Sequence, residues 1–487
     1  MTDEVQHFES LYPDTTREKE IAKVVGFLKE GNSVQLLSLP GVGRATVLGL
    51  LAYNSAVRQK HFGNEKVESI ERVHFVHIDF SELRRRPLSD VVKLLFLALA
   101  DSLRERGWTD AYKIVNTSFK DVLALQDELV LFQGLKKAVN YLANEKQLTI
   151  VYLFDRFEEY IPAVTSQFFA NLRILRNHAK FRFSVVFSLP RPLDELIDPT
   201  VFADMYEYIA GHTVWMQLFD EVGGTFRIQH LEQVTGRLID PKTKEHIFSV
   251  TGGHGKLTKL SAEAILANEP NILRASEASR EDGSSRLRSN NKLEEFLLSM
   301  RTVRGALYEI WYSLRPEEQT VILGSKATPE SDSGQVVDPQ RRARMTKGQD
   351  DKKKIGYLEY VGLVKDGEIQ IPLFEAFIQQ EAAQLHTHQA FLFDAQTNSI
   401  KRGKQVFSDV LTASEFRLFQ YLLTHQQEIV DRETLITVVW GEMKSTAGVS
   451  EQAVDQLVFR LRKKVEESPN QPRHIVTVKG RGIKFIA

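Results

Sequence analysis

The chain contains no cysteine among its 487 residues. Disulfide bridges and thiolate metal sites are thereby excluded, as expected of a protein kept in a reducing compartment. Long apolar runs are missing as well. The longest, LLFLALA at Leu94–Ala100, is far short of the roughly 20 residues a bilayer-spanning helix needs. The opening stretch MTDEVQHFESLYPD is acidic and has no apolar centre, so no secretory signal is read there. Neither sign of charge is in excess, with 63 Lys and Arg against 64 Asp and Glu. Overall charge therefore draws the chain to neither nucleic acid nor membrane, and any basic surface must be local. A cytoplasmic protein without a membrane partner is expected.

What is present is ordinary globular composition, 42% hydrophobic and 26% charged, in a chain long enough for several domains. Ile21, Val24, Val25 and Leu28 fall at helical spacing. The apolar run SVQLLSL follows, then the glycine-bearing stretch SLPGVGRAT (Ser38–Thr46), then a helical pattern over Ala45–Ala56. Strand, glycine turn and helix are the setting of a phosphate-binding loop. Further buried strands are read at Val73–Phe80, Leu148–Asp155 and Phe181–Leu189, with helices over Leu88–Arg104 and Leu131–Asn144. This alternation predicts a mainly parallel sheet covered by helices. From about Pro192 the pattern turns helical. Two polar stretches, Ala275–Asn291 and Ser325–Lys354, read as a linker and as a loop insertion or disordered segment. Between Ile355 and Gln380 a short helix, a glycine-turned hairpin and another helix are expected.

The loop is altered where its chemistry is most demanding. The pattern G-x-x-x-x-G-K-[ST] would place glycine at Ser38, lysine at Arg44 and a hydroxyl at Ala45. Backbone N–H groups cradle phosphates without side chains, so Pro40, Gly41, Val42, Gly43, Arg44, Ala45 and Thr46 remain nucleotide-binding candidates. Arg44 keeps the charge but not the compact shape of lysine. Ala45 has no hydroxyl for Mg²⁺, and Thr46 is one residue out of register. The stretch DRFEEY at Asp155–Tyr160 resembles the acidic motif of P-loop NTPases. The resemblance implies that Asp155 is a metal-associated carboxylate at a strand end and that Glu158 or Glu159 orients a water; Asp155 and Glu158 are the catalytic candidates. The same resemblance implies that Ser188, at the end of the next strand with Arg191 nearby, senses the outer phosphate. The competing reading makes Asp155 and Glu158 ion-pair partners of Arg156 or Arg173. ATP or ADP, with Mg²⁺, is the expected cofactor, and efficient hydrolysis is not expected. HTH at His386–His388 reads as a loop and RRR at Arg84–Arg86 as a solvated one.

The last hundred residues carry the most specific pattern. LTASEFRLFQYLLTHQQEIVDRETLITVVWG gives two helices, the first with the capping box Thr412/Glu415. Ser450 starts a basic helix, EQAVDQLVFRLRKKVEE, and HIVTVKGRGIKFIA closes the chain as a hairpin around Gly480-Arg481-Gly482. Residues Ala395–Ala487 hold 14 Lys and Arg against 10 Asp and Glu, so the positive charge is concentrated here.

These motifs resemble the OmpR/PhoB-type transcriptional effector domain, a winged helix, almost throughout. FLFDAQTNSIKRGKQVF fits the sheet that precedes its helices. The resemblance implies binding to double-stranded DNA, with the third helix in the major groove and the wing at the minor groove. By position it puts Gln452, Gln456 and Arg460 at the groove or phosphates, Arg462 and Lys463 at phosphates, and Thr477, Lys479 and Arg481 on the wing. Val454, Leu457, Val458 and Leu461 follow core spacing, and Lys463-Lys464 has the alternative of a solvated last turn. Phe459 departs from the family, which often has a polar or basic residue there.

The first half resembles P-loop NTPases of the STAND or AAA+ kind over about Thr15–Ala267. TTREKEIAKVVGFL sits where those proteins carry the helix before the phosphate-loop strand, LTIVYLFDRFEEY resembles their acidic motif, and VTGGHGKLTKL their lid motif, with Gly255 where proline is usual. The expected architecture is therefore a multidomain α/β plus winged-helix chain. It comprises a P-loop NTPase-like parallel sheet at 1–191, a helical lid and linker at 192–291, a middle winged helix with a disordered insertion at 292–383, and the OmpR/PhoB-type winged helix at 388–487. The leading functional expectation is a self-associating transcriptional regulator that senses a nucleotide or a protein partner. An active STAND-type signalling ATPase and an initiator- or transposition-like DNA-remodelling ATPase are the alternatives.

Overall fold

The computed structural model describes residues 7–63, 72–125, 127–277, 285–324, 356–381, 391–394, 398–402, 405–408, 410–426, 428–441, 451–466, 472, 474–478 and 481–486. The chain forms two compact units, Met1–Leu314 with Val321–Ala382, and Arg315–Thr320 with Ala383–Ala487. Ser325–Lys354, His386–His388, Ser450 and Lys479 lie outside the described residues.

In the first unit, apolar runs without alternation become strands buried on both sides. β1 (Val34–Leu37), β2 (Val73–Asp79), β3 (Thr149–Asp155), β4 (Phe183–Leu189) and β5 (Thr213–Trp215) make one parallel sheet in the order β2-β3-β4-β1-β5. β1, which leads into the glycine loop, is thus central. β4 separates it from β3, and the carboxyl ends of all three meet at one edge of the sheet. Helices α1 (Glu18–Lys29), α2 (Arg44–Tyr53), α3 (Ser55–Phe62), α4 (Leu88–Glu105), α5 (Thr109–Leu123), α6 (Glu128–Asn140) and α7 (Ser166–His178) precede or connect the strands. β5 corrects the expectation that strands end by Pro192. Three residues are too few for an apolar run to register, and pairing with Gln35–Leu37 of β1 is what holds them extended.

An aromatic core fixes the chain after β3. Phe80, Phe154, Phe157, Tyr160, Phe168 and Phe187 are buried, with Phe80 edge-on to Phe154 at 4.7 Å and Phe157 edge-on to Phe187 at 5.1 Å between centroids. Such pairs contribute about 0.5–1.5 kcal/mol each beyond their burial. Because Phe157 and Tyr160 point inward, Glu158 and Glu159 between them are left at the rim.

The helical part follows as α8 (Glu221–Thr235), α9 (Pro241–Thr251) and α10 (Gly255–Glu277). The linker expected at Ala275–Asn291 is helical at both ends, since α10 runs to Glu277 and α11 (Ser285–Ser299) begins within it. Polarity alone does not separate a solvated helix from a loop, and arginine, lysine and glutamate are good helix formers. α12 (Arg301–Ser313) starts after an extended Met300. Residues 356–360 are helical, β6 (Val364–Lys365) and β7 (Glu368–Ile369) pair antiparallel, and α13 (Pro372–Glu381) follows.

The second unit begins with an antiparallel sheet of β8 (Leu392–Asp394), β9 (Ser399–Arg402) and β10 (Gln405–Val406). Then come α14 (Ala413–Thr424), β11 (Ile429–Val430), α15 (Arg432–Trp440), α16 (Glu451–Val465), β12 (Ile475–Val478) and β13 (Gly482–Phe485). The last three strands pair in the order β11-β13-β12. Three helices followed by a hairpin make this a winged helix. The capping box is formed, with Glu415 N–H donating to Thr412 Oγ1 at 3.4 Å and Thr412 N–H to Glu415 Oε2 at 2.8 Å. Asp431 caps α15 by accepting from Thr434 N–H at 2.8 Å. Val454, Leu457, Val458 and Leu461 are buried with Phe391, Phe419 and Phe485. Lys464 is not a merely solvated end of α16: its ammonium donates to Glu415 Oε2 at 2.7 Å and to the Val410 carbonyl at 2.8 Å.

The wing depends on one glycine. Gly482 has φ +142°, and a Cβ there would lie 2.1 Å from the Val430 carbonyl oxygen, on the neighbouring strand. Gly482→Ala should lower the stability of this unit by about 2 kcal/mol or more. In urea unfolding, its transition should shift while that of the first unit stays in place.

Candidate functional site

The loop between β1 and α2 owes its shape to Gly41 (φ +78°) and Gly43 (φ +119°). A Cβ on Gly41 would meet both His254 Cε1 and Lys256 Cβ at 2.8 Å. Three consecutive carbonyls of the loop are taken by donors from outside it. Pro40 O accepts from His254 Nε2 at 2.8 Å, Gly41 O from Lys256 N–H at 2.9 Å, and Val42 O from Arg17 Nη2 at 2.9 Å. His254 Nδ1 accepts from Leu257 N–H at 3.3 Å, so the proton on Nε2 is the one that faces the loop. Arg17 is buried with left-handed backbone (φ +51°), and it also donates to Gln217 O at 2.6 Å and pairs with Glu20 at 3.1 Å. With the carbonyls committed outward, the amides of the first turn of α2, which have no intrahelical acceptor, remain for an anion.

Arg44, in the lysine position, is already engaged within the protein. Its Nη2 pairs with Glu158 Oε1 at 2.9 Å and its Nη1 donates to Ser38 O at 3.3 Å. The reading that paired Asp155 or Glu158 with Arg156 or Arg173 is corrected here. Arg156 pairs with Asp79, and Arg173 with Asp204 at 2.9 Å. The left-handed backbone of Arg156 (φ +52°) starts the turn that sends Phe157 into the core and leaves Glu158 beside the loop. Burial pushes the Glu158 carboxyl above its ordinary range, against the pull of Arg44, and its Oε2 has no partner among the described residues.

Asp155 is buried at the end of β3, and its Oδ1 accepts from Arg156 N–H at 2.9 Å and from Ser188 Oγ at 3.2 Å. His77 Nε2 stands 4.0 Å from Asp155 Oδ2. Burial lowers the affinity of His77 for a proton, with Asp155 opposing. The structure therefore brings Asp155, Ser188, Glu158 and Arg44 together at the sheet edge. Phosphate fits the amides of this loop; Mg²⁺ at the usual place does not. Ala45 offers only a methyl group, and Thr46 Oγ1 accepts from Arg227 Nη2 at 3.4 Å, an arginine whose other contact is Tyr12 Oη at 2.6 Å. No group of three or more His, Asp or Glu that could hold a metal occurs among the described residues.

In the second unit, α16 exposes Gln452, Gln456, Phe459, Arg460 and Lys463. Asp455, also exposed, is paired with Arg432 at 2.9 Å. Arg462, expected at a phosphate, also makes contacts within the unit. Its Nε donates to Ile475 O and its Nη2 to Thr477 Oγ1, both at 2.8 Å, which ties the helix to the wing. Arg481 is exposed at the wing turn, with its N–H donating to Val478 O at 2.9 Å.

The roles of His254, Lys256 and Arg17 were missed from sequence, although the motifs TTREKE and GGHGK that carry them were visible. No pattern marks which carbonyl a distant donor will reach.

Residues 409–485 match the family model described as transcriptional regulatory protein, C terminal. The RstA DNA-binding domain of Klebsiella pneumoniae, solved in complex with the RstA box, is similar at 27% identity, over 20% of this chain and 94% of that one, with a TM-score of 0.17. Two further solved structures are similar at 15% identity. The Walker-type ATPase paby2304 of Pyrococcus abyssi covers 77% of this chain and 100% of its own, with a TM-score of 0.38. The ORC2 protein of Aeropyrum pernix in its ADP form covers 76% and 95%, with a TM-score of 0.39. No helix among the described residues is long and apolar enough to cross a membrane.

His254 carries a pH signature. Burial pushes its pKa from 6.5 down to about 4, so between those values the unfolded ring binds a proton and the folded ring does not. Stability of the first unit is complete above pH 6.5 and falls as pH drops toward 4, by about 3 kcal/mol from this ring. His74, buried and lowered to about 3, acts in the same sense. His254→Gln should reduce the proton uptake on unfolding at pH 5 by about one, read from the pH dependence of the urea midpoint.

Proposed function

We propose that the chain is a DNA-binding transcriptional regulator whose phosphate-loop unit responds to a nucleotide or a protein partner and governs how the winged helix engages DNA. The observation that carries this reading is the exposed face of α16. Gln452, Gln456, Arg460 and Lys463 lie together there, and the one described acid among them, Asp455, is neutralised by Arg432. This is the charge distribution a major-groove helix requires. The match of 409–485 to the regulator family supports it. Self-association through the first unit would set the spacing of paired winged helices, and hence affinity for tandem half-sites. The cytoplasm is the setting that fits such a role.

For the phosphate loop, the same reading is binding without catalysis. The amides of α2 hold the phosphates of ATP or ADP. Arg44 must first leave Glu158, and Asp155 and Glu158 act as positioning groups instead of a hydrolytic pair.

Binding of the full chain to duplexes selected from a random-sequence library tests the DNA reading. Arg460→Ala should weaken binding across all sequences and reduce the slope of log affinity against log salt by about 1. Failure to bind any duplex at 50 mM salt would sink the proposal. For the loop, ADP binding followed by calorimetry should be the same in EDTA as in Mg²⁺, with no phosphate release from ATP. The pair Arg44→Lys with Ala45→Ser should confer Mg²⁺ dependence. Phosphate release by the unaltered chain that disappears in Asp155→Asn would establish the enzyme reading instead.

A further inference from the structure

Phe459 stands on the solvent face of α16, 43% exposed. Gln452, Gln456, Phe459 and Lys463 recur at intervals of four, three and four residues, so they form one stripe along the helix. The core positions Val454, Leu457, Val458 and Leu461 occupy the opposite side. The ring therefore contributes nothing to the core of the unit. It is held by a cation instead, with Lys463 Nζ 4.7 Å from the ring centroid. Arg460 is exposed beside it, and Asp455 is neutralised by Arg432 at 2.9 Å. The result is a single apolar ring set inside a cationic, amide-bearing stripe.

That surroundings pattern is a poor match for an apolar protein face, which would bury Arg460 and Lys463 without partners. It is a good match for the major groove. There the phosphates meet the cations, the amides of glutamine pair with adenine, and the only apolar group on any base edge is the C5-methyl of thymine. We infer that Phe459 is a specificity-determining residue that packs on a thymine methyl group. The site this chain reads therefore has a thymine at the base pair facing the middle of α16, next to the bases reached by Gln456 and Arg460. The inference rests on the DNA-binding reading above and adds the base that is read.

The experiment uses the full chain and the best duplex selected from a random-sequence library. That duplex is remade with uracil replacing thymine one position at a time, which removes one methyl group and leaves every hydrogen-bonding edge in place. Burial of one methyl is worth about 0.8 kcal/mol, or about fourfold in affinity. One position per half-site should lose about fourfold on the uracil exchange. Phe459→Ala should lose a similar amount on the thymine duplex and nothing more on the uracil duplex. Because the exchange is made in the DNA, folding of the variant is not at issue, and the exposed position makes misfolding of Phe459→Ala a minor concern. Equal affinity for thymine and uracil at every position would overturn the inference while leaving DNA binding intact. So would a methyl dependence that persists in Phe459→Ala. A Phe459→Ala chain with unaltered DNA affinity but an altered sedimentation coefficient would assign the ring to a protein contact. Absence of any selected duplex would remove the inference together with the reading it stands on.

Discussion

The first unit is organised by the need to satisfy three peptide carbonyls. A chain that turns consecutive amides toward one side must turn its carbonyls toward the other, and a buried carbonyl without a donor costs on the order of 1–3 kcal/mol. Pro40, Gly41 and Val42 find their donors in His254, Lys256 and Arg17. Those donors come from the helical part and from the residue that precedes α1. The loop is consequently a joint between three parts of the fold, and its geometry persists only while all three are docked. This explains why Gly41 cannot carry a side chain, and why Arg17 is held in a left-handed conformation despite its bulk.

Against that scaffold, Arg44 and Glu158 have a clear physical effect. A cationic side chain at the start of α2 and a carboxylate beside it form an internal ion pair at 2.9 Å where a phosphate's charge would otherwise be met. Any anion entering the loop competes with Glu158 for Arg44, and the released carboxylate, already disfavoured by burial, repels it. The loop thus carries a counter-charge of its own beside the first turn of α2. Asp155 is occupied, held by Arg156 N–H and Ser188 Oγ.

Much of this was legible in the sequence, and the reasons differ by element. Buried strands in runs of seven, such as Thr149–Asp155 and Phe183–Leu189, announce themselves because both faces demand apolar residues. The capping box Thr412/Glu415 was legible because capping is a local hydrogen-bond requirement set by a few side chains. The strand Thr213–Trp215 was not, since its extension is imposed by β1. The pairing of Arg44 with Glu158, 114 residues apart in the chain, and the engagement of Arg462 with the wing are tertiary facts for which residue type gives only a list of eligible partners. Polar residues at Ser285–Asn291 misled in the other direction, because a polar helix and a loop share composition.

The single tautomer of His254 has a use beyond packing. Its Nε2 proton is fixed between the ring and the Pro40 carbonyl in a site closed to solvent, and its Nδ1 is fixed as an acceptor. A ring so constrained gives nitrogen resonances set by one hydrogen-bonded form and a slowly exchanging imidazole proton. Isotope labelling of histidine thereby supplies a spectroscopic gauge, native to the chain, of whether the helical part is seated on the loop or has lifted from it.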